Sequence, residues 1–319
     1  MNPQQFISSL YKRSECLPSV NHLERFRKQD SIYIMGNGPS AFVIPELMEA
    51  RNNPFDISGT SAAVFQERKL TFYWYEPHFL QNAEGFSLSC PESCSSYGLA
   101  RILHHEWTQH ATSESSDVLI PNPQIPSNSY GYSEVPTHEC ILIPPWHFVN
   151  EINDNAILQG LKSYFKTEAK NRNILNFRGS VIRQLSTAFA IGYKQVYLGG
   201  LDPSTKGYWY TDKTLRGKHV KATALSRLQQ VLASYEISLQ NVEDAAPSES
   251  SLAGPENTYF DFERSIIFIV ILLCKAYPES QATVLISDKR VKAICQELCM
   301  RSLKNLRLVN IDEAEAAMA

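Results

Sequence analysis

Three short stretches carry the residue types that chemistry would need. The first is Gly36-Asn37-Gly38-Pro39-Ser40, which follows the run Ser31-Ile32-Tyr33-Ile34-Met35. Glycines in such a turn permit close backbone approach and positive φ, and a helix after it offers unpaired N–H groups to a phosphate. The pattern is not the dinucleotide fingerprint, because the third glycine is missing and no acidic residue stands at the expected strand end. Nor is it a P-loop, since no Gly-Lys-Ser/Thr follows. Many α/β proteins also turn this way for structural reasons alone.

The second stretch is Asn176-Phe177-Arg178-Gly179-Ser180, followed by an apolar helical run and then Gly192-Tyr193-Lys194-Gln195-Val196-Tyr197-Leu198-Gly199-Gly200-Leu201-Asp202. A helix feeding a strand that ends in Gly-Gly-Leu-Asp puts small residues and a carboxylate at the strand's carboxyl end, where open sheets bind ligands. Arg178 could clamp a phosphate or carboxylate; a surface arginine and a turn-capping Asp202 are the plainer alternative. The third stretch is Gly207-Tyr208-Trp209-Tyr210-Thr211-Asp212 with Arg216-Gly217-Lys218-His219 close behind. Aromatics beside a basic stretch suggest a lid over a ligand. His219, set just before a helix, is either a general base or a solvated cap residue.

The elements that must hold these residues read as α/β. The expected strands are 31–35, 70–75, 118–120, 140–143, 195–198, 237–242, 283–287 and 306–311, with helices between them at 41–50, 97–107, 157–170, 181–191, 221–235, 260–276 and 288–303. The alternation predicts a doubly wound, mainly parallel sheet of Rossmann type. Residues 121–136, rich in Pro, Ser, Asn, Gly and Tyr, read as a long loop beside an active-site mouth. The expected organisation is a helical lead-in at 1–30 and a nucleotide-binding α/β domain at 31–255 with a lid near 203–220. A C-terminal α/β extension at 256–319 packs on the same domain.

Composition narrows the classes further. The chain has 319 residues, 43% hydrophobic and 20% charged, with a net charge of −3. No clustered basic face points to nucleic acid. The longest apolar run, 266–274, is about half the ~20 residues of a membrane span. The opening Met1-Asn2-Pro3-Gln4-Gln5 lacks the basic flank and apolar core of a secretory signal, so a reducing cytoplasm with free thiols is expected for the seven cysteines. Cys90/Cys94 and Cys295/Cys299 read as helix-face filler rather than a zinc site, and His104-His105-Glu106 with His110 as a polar helix face. Trp74, Trp107 and Trp146 read as core, and neighbouring Glu243 and Asp244 point apart, unlike a hydrolase pair.

Taken together and in order, these segments resemble the bacterial sialyltransferases of glycosyltransferase family 42, which sialylate lipooligosaccharides. Gly36 to Ser40 match the family's Gly-Asn-Gly-Pro-Ser after its first strand. Asn176, Arg178, Ser180 and the run 192–202 match its Asn-x-Arg…Ser segment and Gly-Tyr-Lys-x-x-Tyr-Leu-x-Gly-x-Asp. The match to the first of these has one residue fewer between the Arg and the Ser. The resemblance spans roughly 32–252 and implies a GT-A-like variant of the Rossmann fold. It also implies that Asn37, helped by Gly36, Gly38, Ser40 and Ser180, contacts the CMP part of a donor. Gly200 and Asp202 fall in the same motif, Tyr210 matches a lid tyrosine that binds the leaving phosphate, and His219 matches the catalytic histidine. Ser251 lies in a segment like the family's Asn-Ser-Leu, with Ser250 in place of the Asn.

The chain departs from the family pattern at three positions. Glu76 stands where the family has an asparagine after its third strand, Ser61 where a second asparagine is expected, and Ser204 where a second lid tyrosine is expected. A carboxylate at Glu76 would repel an acidic sugar unless protonated or turned away. The donor implied is therefore CMP-activated sialic acid or a relative such as Kdo, legionaminic or pseudaminic acid. The acceptor implied is a glycan hydroxyl of lipopolysaccharide, lipooligosaccharide or capsule, with no metal or other cofactor. Peripheral contact with the inner membrane's cytoplasmic side and homo-oligomerisation stay open. The competing reading is a non-catalytic nucleotide-binding or scaffolding protein of polysaccharide assembly. A nicotinamide dehydrogenase is disfavoured by the incomplete glycine fingerprint.

Overall fold

The computed structural model describes residues 20–75, 107, 110–111, 115–121, 146–148, 161–172, 174–176, 180–201, 209, 213–234, 257–286 and 303–314. Its centre is a seven-stranded parallel sheet made of β1 (Ser31–Met35), β2 (Asp56–Thr60), β3 (Leu70–Tyr75), β4 (Ser116–Pro121), β7 (Gln195–Gly199), β8 (Gln281–Ile286) and β9 (Leu306–Asn310). Two further strands, β5 (Trp146–Phe148) and β6 (Ile174–Asn176), form a separate parallel pair. The large sheet runs in the order β4-β3-β2-β1-β7-β8-β9. The chain thus winds outward from β1 in one direction, returns across the sheet, and winds outward from β7 in the other. This is a Rossmann-like α/β arrangement with its switch point between β1 and β7.

Strands covered on both faces need apolar residues at successive positions, and β1 and β3 supply them: every residue of each is buried. Alternate side chains feed two separate cores. Ile32, Ile34, Phe72 and Trp74 join Leu185 and Phe189 of α3 (Ser180–Ile191), and Ile266 and Val270 of α6 (Asn257–Ala276), on one face. Tyr33, Met35, Tyr73 and Tyr75 join Ile44 and Met48 of α2 (Val43–Ala50), and Ala224, Leu228 and Leu232 of α5 (Ala222–Ser234), on the other. Among the described residues the other α-helices are α1 (Val20–Glu24) and α4 (Lys213–His219). Strands β8 and β9 complete the same sheet as β1, so residues 281–286 and 306–310 contribute to the central layer itself. Among the described residues no helix is long and apolar enough to cross a membrane.

The strand expected at 31–35 and those near 70–75, 195–198, 283–287 and 306–311 form as β1, β3, β7, β8 and β9, and the one near 118–120 forms as β4, which extends through Pro121. Those expected at 140–143 and 237–242 lie outside the described residues. The sequence pattern does not predict strands β2, β5 and β6. Strand β2 reads Asp-Ile-Ser-Gly-Thr, which looks like a loop, yet all five residues are buried. Its polar side chains are satisfied internally. Asp56 Oδ2 accepts from the Lys28 and Gln29 amides and from the Tyr193 hydroxyl, while its Oδ1 accepts from Thr71. Ser58 donates to Gln184 and accepts from the Trp74 indole, and Thr60 donates to the Trp74 carbonyl. A buried polar strand is stable only with such partners.

Candidate functional site

The carboxyl edge of the sheet at the β1/β7 switch point brings two glycine segments into direct contact. Gly36 donates its N–H to the Gly199 carbonyl at 2.8 Å and Gly38 donates to the Gly200 carbonyl at 2.8 Å. A Cβ built on Gly36 would lie 2.2 Å from the Gly200 oxygen. Gly200 sits at φ +75° and a Cβ there would meet the Gly36 carbonyl group at 2.8 Å. Ser40 Oγ accepts the Gly200 N–H at 3.1 Å. The glycines therefore serve the approach of one chain segment to another. The glycine amides of the turn are committed within the protein: the N–H groups of Gly36 and Gly38 are taken by these carbonyls, and Pro39 has none.

Asn37 is the turn residue with hydrogen-bonding capacity left over. Its side chain is only partly buried, but its Oδ1 is shielded from solvent and has no hydrogen-bond partner among the described residues. Its carbonyl accepts the Trp209 N–H at 2.9 Å. A shielded acceptor without a donor is costly, and at a ligand-binding edge it marks where a ligand donor would fit.

Trp209 in turn leads to His219. The Phe42 ring, three residues beyond Pro39 in the 3-10 turn Pro39–Phe42, meets the Trp209 ring edge-on at 5.0 Å. Its flat face carries the His219 imidazole, with centroids 3.6 Å apart and planes 4° from parallel. The histidine stands just before α5, which begins at Ala222, and is also the last residue of the short helix α4. The following chain is pinned across the end of β2: Val220 bridges to Gln66, and the Lys221 N–H donates to the Phe65 carbonyl at 3.0 Å. His219 is thereby held over the loops that follow β1 and β2.

The histidine side chain is 12% exposed, and its Nε2 lies 3.4 Å from Glu46 Oε1, an oxygen that also accepts from Lys218 Nζ at 2.6 Å. Burial holds the imidazole pKa below its ordinary 6.5. The Glu46 charge works against burial and raises it, Lys218 and Arg68 lower it, and burial prevails. A ring in this setting is neutral at neutral pH and has a lone pair to offer.

Other sequence candidates fall into two groups. Ser61 follows β2 at the same carboxyl edge and adopts φ 52°, a left-handed conformation unusual for serine. Ser180 is the first residue of α3 and is partly buried. Glu76, Arg178, Asp202, Tyr210 and Ser251 lie outside the described residues, as do Ser204 and half of the expected lid. Trp209, expected as a lid aromatic, is fully buried and is a packing residue of the core.

The sequence pattern marks none of Phe42, Glu46 and Gln66. Phe42 and Glu46 touch the histidine. Gln66 is 1% exposed, and both polar atoms of its side chain are buried with no hydrogen-bond partner among the described residues, beside the Val220 bridge. A polar residue in a loop just after an apolar stretch is the available signal. Among the described residues no group of three or more His, Cys, Asp or Glu could hold a metal ion.

No family model, curated protein or solved structure matches the chain.

Proposed function

We propose that the chain is an inverting glycosyltransferase of GT-A-like architecture that transfers sialic acid or a related nonulosonate from a CMP-activated donor to a glycan hydroxyl. The observation that carries this reading is the Phe42 platform. A neutral, oriented imidazole and a turn asparagine with an unused acceptor share one edge of the sheet, at the switch point where open α/β sheets take ligands. The sequence resemblance implies a nucleotide contact for Asn37 and a catalytic role for His219, and their sharing this edge supports that reading.

The chemistry follows from the groups present. The Asn37 Oδ1 accepts a hydrogen bond from an amino or hydroxyl group of the nucleotide. The Glu46 carboxylate beside Nε2 favours the tautomer protonated there, which leaves the Nδ1 lone pair of His219 as the base. As the acceptor oxygen attacks the anomeric carbon, its proton passes to His219 and the bond to the CMP phosphate breaks on the opposite face. Configuration inverts through an oxocarbenium-like state. In this reading Tyr210, in the lid at about 203–220, donates to the leaving phosphate. A single leaving phosphate gathers less charge than a pyrophosphate, so no metal is invoked.

The deciding experiment measures CMP release from CMP-activated acidic sugars, with and without glycan acceptors, for the wild type and His219→Ala. A loss of about 100-fold or more in the variant, with CMP binding retained, is expected of a general base. Equal rates in the two proteins would reject the assignment of His219. CMP binding with no turnover by the wild type would favour a nucleotide-binding scaffold.

A further inference from the structure

A second recess opens far from the glycine edge, on the sheet face that carries α2 and at the amino-terminal halves of β7, β8 and β9. It has a volume of about 320 Å³. Tyr197, Thr283 and Arg307 stand in register across the three strands and so project from the same face into it. Arg51, just past the end of α2, and Lys304, just before β9, complete its rim.

Charge sets this recess apart. Arg51, Lys304 and Arg307 all line it, and none of the described lining residues is a carboxylate. None of the three cations makes an ion pair among the described residues, whereas Arg68 and Lys218 on the same side of the sheet are paired with Glu49 and Glu46. The guanidiniums of Arg51 and Arg307 are both close enough to act on the Tyr197 hydroxyl, lowering its pKa against the stronger effect of burial. They therefore share one space. Gln195 Nε2 donates to Gln281 Oε1 at 3.1 Å, which leaves the Gln281 amide NH2 as a further donor. Three like charges gathered in a concavity repel each other, and an anion bound among them removes that cost. The chain as a whole carries −3, so a positive recess is not a general property of its surface.

We propose that this recess binds a small soluble anion carrying phosphate groups, at a site separate from the glycine edge. Guanidinium forks match phosphate oxygens two at a time, which a lone lysine cannot do. The volume falls at the small end of ligand sites, the size of a di- or triphosphate head rather than a polymer. Nothing in this assignment depends on the transferase reading.

Calorimetric titration of the full chain with inorganic pyrophosphate, at low and at physiological ionic strength, tests it. The expected result is saturable binding that weakens with salt and falls at least 10-fold in Arg51→Gln/Arg307→Gln. Gln281→Glu, which adds a carboxylate to the rim, is expected to weaken it at least as much. Asn37→Ala is expected to leave it unchanged, and so is added CMP. Thermal melting of each variant checks that the fold survives. Absence of pyrophosphate binding would overturn the proposal. Binding that survives Arg51→Gln/Arg307→Gln, or that CMP displaces, would place the anion elsewhere and overturn it too. Binding to phosphatidylglycerol vesicles but not to pyrophosphate would make the recess a membrane contact, which is a different function.

Discussion

The His219 imidazole lies flat on the Phe42 ring, 3.6 Å between centroids and 4° from parallel, and Phe42 is only five residues beyond Asn37. This contact converts two sequence-distant segments into one edge. It also explains the charge state of the histidine: one face of the ring is covered by hydrocarbon, and water cannot solvate an imidazolium there.

If Phe42 is the source of that burial, Phe42→Leu uncovers the ring. The His219 pKa is then expected to rise towards 6.5, against the lowered value of the wild type. NMR titration of the His219 ring protons reads this directly. The substitution also removes the edge contact to Trp209, and a stability loss of about 1–2 kcal/mol is expected from it and the smaller side chain. An unchanged pKa in the variant would mean that other groups desolvate the ring.

Glu46→Gln is expected to act in the opposite direction. The Glu46 carboxylate raises the His219 pKa, so its removal lets burial, Lys218 and Arg68 lower it further. A general base works when unprotonated. The acid limb of the rate profile should therefore lie below pH 6.5 in the wild type and move to still lower pH in the variant. The linkage to stability has the same sign. A histidine with a folded-state pKa below its unfolded value gives its full contribution above about 6.5, and loses it as pH falls through the folded value. Loss of the exposed Lys218 pair should itself cost at most ~1 kcal/mol.

Two glycines separate close packing from helix propensity. Gly36→Ala would force a Cβ to 2.2 Å from the Gly200 carbonyl oxygen, a backbone atom fixed by two adjacent strands. A loss of about 3 kcal/mol or more is expected in denaturant unfolding. At Gly217, inside α4, a Cβ would meet nothing within 4 Å among the described residues. Gly217→Ala should stabilise by roughly 0.5–1 kcal/mol through helix propensity. Equal responses at the two positions would show that the Gly36–Gly200 approach is not the constraint described.

What the sequence displays and what it hides divide along a physical line. Strands β1 and β3 are legible because residues buried on both faces leave continuous apolar runs, β7 through its short Val196-Tyr197-Leu198 run, and Gly36 and Gly200 because few residues other than glycine fit such turns. Strand β2 is hidden because Asp56, Ser58 and Thr60 look solvated in one dimension. Their partners, Tyr193, Gln184 and Trp74, come from remote or neighbouring strands and helices. Likewise His219, read from its neighbours in sequence alone, favours a solvated cap over a base. Neither Phe42 nor Glu46 carries a mark of its own in the sequence, since a phenylalanine and a glutamate around a helix start are ordinary. The glycine turn is visible in the sequence but the task of its amides is not, because the Gly199 and Gly200 carbonyls that take them lie some 160 residues on.

Ser61 offers a test that separates stability from binding at the carboxyl edge. It holds φ 52° without being glycine, a conformation that costs an L-residue about 1–2 kcal/mol. Ser61→Gly relieves that strain, less the extra chain entropy of glycine, so a net gain of about 0.5 kcal/mol is expected. Ser61→Asn keeps a polar side chain that tolerates this region and should gain as well. The Tyr73 hydroxyl donates to the Ser61 carbonyl, a backbone group that both changes retain. If the serine hydroxyl reaches the donor, Ser61→Gly should weaken CMP-sugar binding about fivefold, the worth of one hydrogen bond of ~1 kcal/mol. Calorimetry on the same preparations used for the melts reads both effects. A stabilised variant with weaker donor binding would show strain retained for function. A stabilised variant with unaltered binding would leave Ser61 as a purely conformational feature of the turn.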